Sequence, residues 1–255
     1  HATRSFITTL GGLAKHDQVL FTTHSSEFVN RVSLDNVIRV QREQSLRKII
    51  QPDLAGLKDK ALLKVQRYLI EDRSDMLFGK AVLLVEGQSE HAAFPAFARK
   101  IKIDLDRYGV SIVRVDGKGN FETYHHILKA FEIPHVIFGD GDGKHISEEQ
   151  KYSKLVGEKN VFVLEKDFEF LLVSIFSNNR ILEIINECRS QQRTEPLKKI
   201  SSKLTVANVR SRWWDRVKDL LHETISSEHR EHYLEDKEKI KAILNRVAKS
   251  VIEHN

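Results

Sequence analysis

The arrangement of apolar and polar positions divides this chain into three stretches. The middle one is the clearest. Residues 81–85 (AVLLV) form an unbroken apolar run, which predicts a buried strand over 81–86. Helix 89–102, strand 110–115, helix 121–131 and strand 135–140 follow in alternation, and then a loop leads to strand 160–165. Alternating elements of this length predict an α/β fold with right-handed crossovers and a mostly parallel sheet between helices. Upstream, residues 1–14 read as a helix, QVLFTTHS (18–25) as a short buried strand and DNVIRVQRE (35–43) as another. From 45 to 79 the period becomes helical, with Leu57, Leu62, Leu63, Val65, Leu69 and Ile70 at threes and fours. Beyond 168 the pattern is helical to the end. Ile240, Ile243, Leu244, Val247 and Val251 there make a face for packing within the chain or against a second subunit.

Composition narrows the class without deciding it. The chain has 255 residues, 40% apolar and 30% charged, as expected of a globular protein with a real core. No apolar run approaches the ~20 residues of a membrane helix, so no membrane association is expected. A single cysteine, Cys188, rules out an internal disulfide and suits the cytoplasm. The formal charge of +5 permits a nucleic-acid partner. The chain opens on HATRSF, already inside a helical pattern, which leads us to expect a piece of a longer protein.

The chemistry gathers at the strand ends, where loops of an open α/β sheet form a crevice. The first strand ends at Glu86, with Glu90 four residues on. The second runs into DGKGNF, and the third into GDGD with Asp140 and Asp142. The fourth runs into LEKDFE, with Glu165, Asp167 and Glu169. Each cluster alone reads first as a solvated turn. Three from separate strand ends would meet in one small volume, where like charges repel unless cations join them. Oxygen donors without a His/Cys set favour Mg²⁺ or Mn²⁺ over zinc. Two such ions about 4 Å apart would activate water for phosphodiester cleavage.

LLVEGQSE, VDGKGNF and IPHVIFGDGD, in this order, resemble a Toprim domain, the catalytic module of topoisomerases, primases and certain nucleases. Their spacing and the GK-N-F insert most resemble the OLD (overcoming lysogenization defect) family nucleases, which include the effector of the Gabija antiphage system. The resemblance covers about residues 80–172. It implies a DNA endonuclease using two divalent ions, with Ca²⁺ as a non-productive occupant. Its metal ligands would be Glu86, Glu90, Asp140, Asp142, Asp167 and Glu169. A downstream lysine near the scissile phosphate is also implied, and EPLKKISSKL offers Lys198 and Lys199. DQVLFTTHSSEFVNRVSLDNVIRV resembles the end of an ABC-type ATPase, with His24 as the residue that senses a γ-phosphate. The domains expected are thus 1–44 (ATPase remnant), 45–79 (helical linker), 80–172 (Toprim core) and 173–255 (helical region). No G-x-x-x-x-G-K-[ST] loop is present, so ATP would act only through a portion outside this sequence, and His24 is a structural residue here. A homodimer or higher oligomer is expected of the full-length protein. The alternatives are a non-catalytic Toprim module that binds DNA, a Toprim ribonuclease and a primase-like enzyme.

Other motifs carry less. GDGDGKH fails as a phosphate-binding loop and as a calcium loop, because His145 stands where Ser/Thr or Gly is required. DGKGNF reads as a tight turn or as an anion-binding nest, with a direct role for Lys118 or Asn120 only in the second case. His125 and His126 read as surface residues. Trp213 and Trp214, set among Arg210, Arg212, Arg216 and Lys218, read as core packing before strand binding.

Overall fold

A computed structural model describes residues 2–43, 46–54, 74–142, 144–168 and 171. The elements are α1 (Ala2–Leu13), β1 (Arg39–Glu43), β2 (Leu46–Ile50), β3 (Ala81–Val85), α2 (Gln88–Lys100), β4 (Val110–Arg114), α3 (Phe121–Ala130), β5 (His135–Gly139), α4 (His145–Val156) and β6 (Val161–Val163). Strands β3 to β6 form one sheet in the order β4-β3-β5-β6, and every pair is parallel. The α/β reading of the sequence holds.

Burial explains why the strand β3 is apolar throughout. All five of its residues are buried, and they alternate between two cores. Val82 and Leu84 join Phe121, Tyr124, Ile127, Leu128 and Tyr152, the inward faces of α3 and α4. Ala81, Leu83 and Val85 join Phe94 and Ala98 of α2, together with Val136 and Phe138 of β5. A central parallel strand covered on both faces has no position at which a polar side chain reaches water.

The strand order also fixes where a site can lie. From β3 the chain passes to β4 on one side, then returns to β5 on the other side of β3. The α2 connection lies on one face and the α3 connection on the opposite face. Between the carboxyl ends of β3 and β5 the crossovers diverge, leaving the crevice typical of such a switch point.

Upstream, Arg39 of β1 fastens the hairpin β1–β2 to the main domain. Its guanidinium donates to the Phe131 carbonyl at 3.1 Å, the Glu132 carbonyl at 3.3 Å and the Gly79 carbonyl at 3.2 Å. Two of these acceptors follow the last turn of α3, where the helix dipole favours a cation. Val29, Leu34 and Leu54 enter the same core as α3.

Three sequence expectations are corrected. Residues 18–25 form no strand: Leu20 and Phe21 are exposed, and among the described residues nothing pairs with them. Residues 46–50, expected as the start of a helix, form β2 and pair antiparallel with β1. The apolar positions that suggested that helix fall in 55–73, outside the described residues. The expected loop between β5 and β6 contains the helix α4. The helical region expected beyond 172, with Trp213 and Trp214, also lies outside the described residues.

Candidate active site

Glu86 is the first residue after β3, and it is half-buried where the strand meets the crevice. Gly87 follows, and the helix α2 begins at Gln88. Glu90, in the first turn of that helix, folds back so that its Oε2 accepts the Gly87 N–H at 3.0 Å. A carboxylate at this position satisfies a free helix N–H and meets the positive end of the helix dipole. Gly87 leaves room for it, since a Cβ there would lie 3.1 Å from the same oxygen. Glu90 is only 3% exposed.

The β4–α3 loop is drawn across Glu86 by backbone bonds. The Val115 N–H donates to the Val85 carbonyl at 2.9 Å, and the Gly117 N–H to the Glu86 carbonyl at 3.2 Å. Buried Asn120 clamps the loop, its Nδ2 donating to the carbonyls of Val115 at 2.7 Å and Asp116 at 3.0 Å. Gly117 has φ +109°, a conformation that side chains oppose. The result places Lys118 over the acids, its Nζ donating to Asp142 Oδ2 at 2.6 Å.

Asp140 and Asp142 follow β5. The Asp140 backbone N–H donates to the Glu86 carboxylate. Asp142 has φ +46°, strained for a residue with a side chain. Between them Gly141 is wedged against the loop after β6. Its N–H donates to the Lys166 carbonyl at 3.2 Å, and a Cβ would stand 2.0 Å from the Leu164 carbonyl oxygen. Asp167 therefore lies, half-buried, on a loop bonded to the one that carries Asp140 and Asp142. Glu165 is exposed.

Burial pushes the Glu86 carboxyl above the usual carboxylate range. Lys118 and the Asp140 N–H oppose that rise, and Glu90 and Asp142 reinforce it. Burial also works against the charge on Lys118. The bond to Asp142 and the fields of Glu86, Asp142 and Asp140 outweigh it, so the ammonium is held above its ordinary value. Oε2 of Glu86 is buried with no hydrogen-bond partner among the described residues. A carboxylate oxygen in that state calls for a cation, a proton or water.

The structure thus brings Glu86, Glu90, Asp140 and Asp142 to one crevice and sets the Asp167 loop beside them. Glu169, Lys198 and Lys199 lie outside the described residues. Sequence reasoning underweighted Lys118 and Asn120, because a loop that folds back over the neighbouring strand end leaves only a Gly–Lys–Gly–Asn signature. The anion nest is not what Lys118 serves here, since its partner is an aspartate. His24 is exposed. His125 is corrected from surface to core: it is 5% exposed and bonded to His135 at the opposite end of the sheet.

The donors suit a hard divalent ion in kind, all being carboxylate oxygens, and one oxygen of Glu86 is without a hydrogen-bond partner among the described residues. Among the described residues, however, no three acidic, His or Cys side chains already form a ligand set.

Residues 77–142, which include β3, the helix α2, the Lys118 loop and both aspartates, match the family model described as "Overcoming lysogenization defect protein-like, TOPRIM domain". This segment is similar to the TOPRIM domain of OLD-like proteins. The chain is 29% identical over 154 residues to the OLD nuclease of Thermus scotoductus, covering 58% of this chain and 29% of that protein. It is 31% identical over 130 residues to the Old nuclease of Escherichia phage P2, covering 49% of this chain and 22% of that protein. The chain therefore matches less than a third of the length of these curated relatives. Among solved structures it is similar to the C-terminal region of the Xanthomonas campestris pv. campestris OLD protein, with TM-score 0.47 and 26% identity, covering 70% of this chain and 99% of that one. The C-terminal region of the Burkholderia pseudomallei OLD protein gives TM-score 0.47 and 22% identity, covering 68% and 99%. In the matched segment, the paired glutamates and the Asp-Gly-Asp turn lie at the ends of neighbouring central strands.

Proposed function

We propose that this chain carries the nuclease centre of an OLD-type protein and hydrolyses DNA phosphodiesters with divalent metal ions. The observation that carries the reading is the half-buried Glu86, with one oxygen unpartnered, set at the switch point beside Asp140 and Asp142. The TOPRIM match and the nucleases among its relatives support it. Glu86, Glu90, Asp140, Asp142, Asp167 and Glu169 would hold two Mg²⁺ or Mn²⁺ ions, directly or through water. Such ions supply a hydroxide-like nucleophile at neutral pH and stabilise charge on the leaving oxygen. Glu86, aligned by the Asp140 N–H, is the acid best placed to accept a proton from water. The crevice excludes part of the solvent, which strengthens every charge interaction inside it. Lys198 or Lys199 would stabilise the charge that builds on the phosphate.

In the full-length protein, we infer, an ATPase portion ending within residues 1–44 controls cleavage, in a cytoplasmic homo-oligomer with a role in phage defence. Among the described residues, no helix is long and apolar enough to cross a membrane.

One observation favours a second reading, a non-catalytic module that binds DNA: the Lys118–Asp142 pair neutralises part of the acid cluster without any metal. The two readings separate on purified chain incubated with supercoiled plasmid in Mg²⁺, Mn²⁺ or EDTA, alongside single-stranded RNA. Nicking of the plasmid that needs Mg²⁺ or Mn²⁺ is expected. Plasmid binding without nicking in either metal would favour the module, and cleavage confined to RNA would make the enzyme a ribonuclease.

A further inference from the structure

Lys118 is the one basic side chain that the β4–α3 loop holds against the acids, and the metal-dependent reading above assigns it no part. Its ammonium is hydrogen-bonded to Asp142 and lies within the electrostatic reach of Glu86 and Asp140. We propose that Lys118 is a built-in counter-cation of the acidic crevice, neutralising Glu86, Asp140 and Asp142 until a divalent ion enters and takes Asp142 from it. This rests on the metal-dependent reading of the same site.

Three features argue for a displaceable partner over a fixed structural pair. First, the acids are crowded enough that Glu90 and Asp142 each raise the cost of ionising Glu86, while Lys118 lowers it. Removing the ammonium with nothing in its place would leave that repulsion uncompensated. Second, the side chain of Asp142 is 58% exposed while that of Lys118 is 23% exposed. An ion pair with one such exposed member is among the weaker ones in proteins, and a doubly charged ion outcompetes it. Third, the backbone on both sides of the lysine is unpacked. Lys118 is flanked by Gly117 and Gly119, and a Cβ at either would meet nothing within 4 Å. The clamp on this loop is the side chain of Asn120, which holds the backbone at Val115 and Asp116.

If Lys118 and the metal compete for the same oxygens, losing the charge must tighten metal binding. A purely structural lysine would leave metal affinity unchanged or weaken it. The test is calorimetric titration of the 255-residue chain with Mn²⁺, comparing wild type, Lys118→Met and Lys118→Arg, with circular dichroism as the check on folding. Lys118→Met is expected to bind Mn²⁺ roughly fivefold more tightly or better, the effect of removing one like charge a few ångströms away in a partly solvated crevice. Lys118→Arg, which keeps the charge, is expected to stay near the wild-type affinity. Unchanged or weaker binding by folded Lys118→Met would overturn the counter-cation role and leave the metal site standing. No Mn²⁺ binding by wild type or either variant would overturn both the role and the metal-dependent reading beneath it.

Discussion

At the scale of single residues, the site is organised by the cost of burying charge. Glu86 is pushed above the usual carboxylate range chiefly by burial, so the fold itself disfavours its ionised form. Glu86→Gln keeps the shape and the contact with the Asp140 N–H, and it removes the charge that Glu90 and Asp142 oppose. Thermal unfolding of Glu86→Gln is therefore expected at a temperature equal to or a few degrees above that of wild type, although the variant loses the chemistry. A clear drop in melting temperature would mean that Glu86 serves the fold instead. This trade of stability for activity is common where like charges are gathered for function. Lys118 belongs to the same balance, and its part was not legible beforehand. The sequence shows a Gly–Lys–Gly turn, and only the backbone bond from Gly117 to Glu86 reveals which charge lies above which.

At the scale of elements, the strands and helices around the site were legible because each is strongly patterned. The strand β3 is apolar at every position, and α3 places Phe121, Tyr124, Ile127 and Leu128 on one stripe. The helix α4 was not legible: its sequence, HISEEQKYSKLV, buries only Tyr152 fully, so it lacks a stripe. The strand β2 was read as helix because the helical spacing from Leu57 onward was extended back over it, whereas Leu46 and Ile49 are exposed and pairing with β1 decides the conformation. Tertiary context overrides local spacing in such short, charged segments. The junction of β5 with the loop after β6 supports a direct test. A Cβ at Gly141 would stand 2.0 Å from one carbonyl oxygen and 2.8 Å from another, both of them backbone. Gly141→Ala is expected to destabilise the chain by about 2 kcal/mol or more in urea unfolding, because the backbone must shift. Gly119→Ala, with open space around it, is expected to stay within about 0.5 kcal/mol of wild type. Equal effects of the two would contradict the packing described for this loop.

At the scale of the whole molecule, the two ends of the sheet do different work. The carboxyl ends carry the acids, and the amino ends carry a histidine pair, buried His125 with half-buried His135, beside the docked hairpin. His135 Nδ1 lies 2.8 Å from the Ile133 carbonyl and must donate to it; in the neutral ring its Nε2 then accepts from His125 Nδ1 at 2.9 Å. Burial depresses both, with His125 brought down to about 4. As pH falls from about 6.5, an ordinary histidine in the unfolded chain protonates first, so the unfolded state binds more protons and stability declines until the folded pair also titrates. The expected result is a loss of unfolding free energy between about pH 6.5 and 4, with a slope of up to about 1.4 kcal/mol per pH unit for each proton taken up. His125→Gln should flatten that slope; parallel curves for variant and wild type would show that the pair is not its source. Nothing in the sequence pointed to this pair, because His125 and His135 meet only when the helix α3 packs on β5. The placement of the acids, by contrast, was legible, because a parallel sheet gathers its strand ends whatever the details of its loops. Glu169, Lys198 and Lys199 remain proposals of the sequence, lying outside the described residues.

The central claim is that Glu86 and its neighbours form a metal-dependent hydrolytic centre. The most direct measurement is the rate of supercoiled-plasmid nicking by Glu86→Gln relative to wild type at saturating Mg²⁺ and Mn²⁺, on protein shown to be folded by its melting curve. The account predicts that wild type nicks, that EDTA stops it, and that the folded variant is slower by about a hundredfold or more, as when a group essential to the chemistry is lost. A folded Glu86→Gln that nicks at the wild-type rate would contradict it.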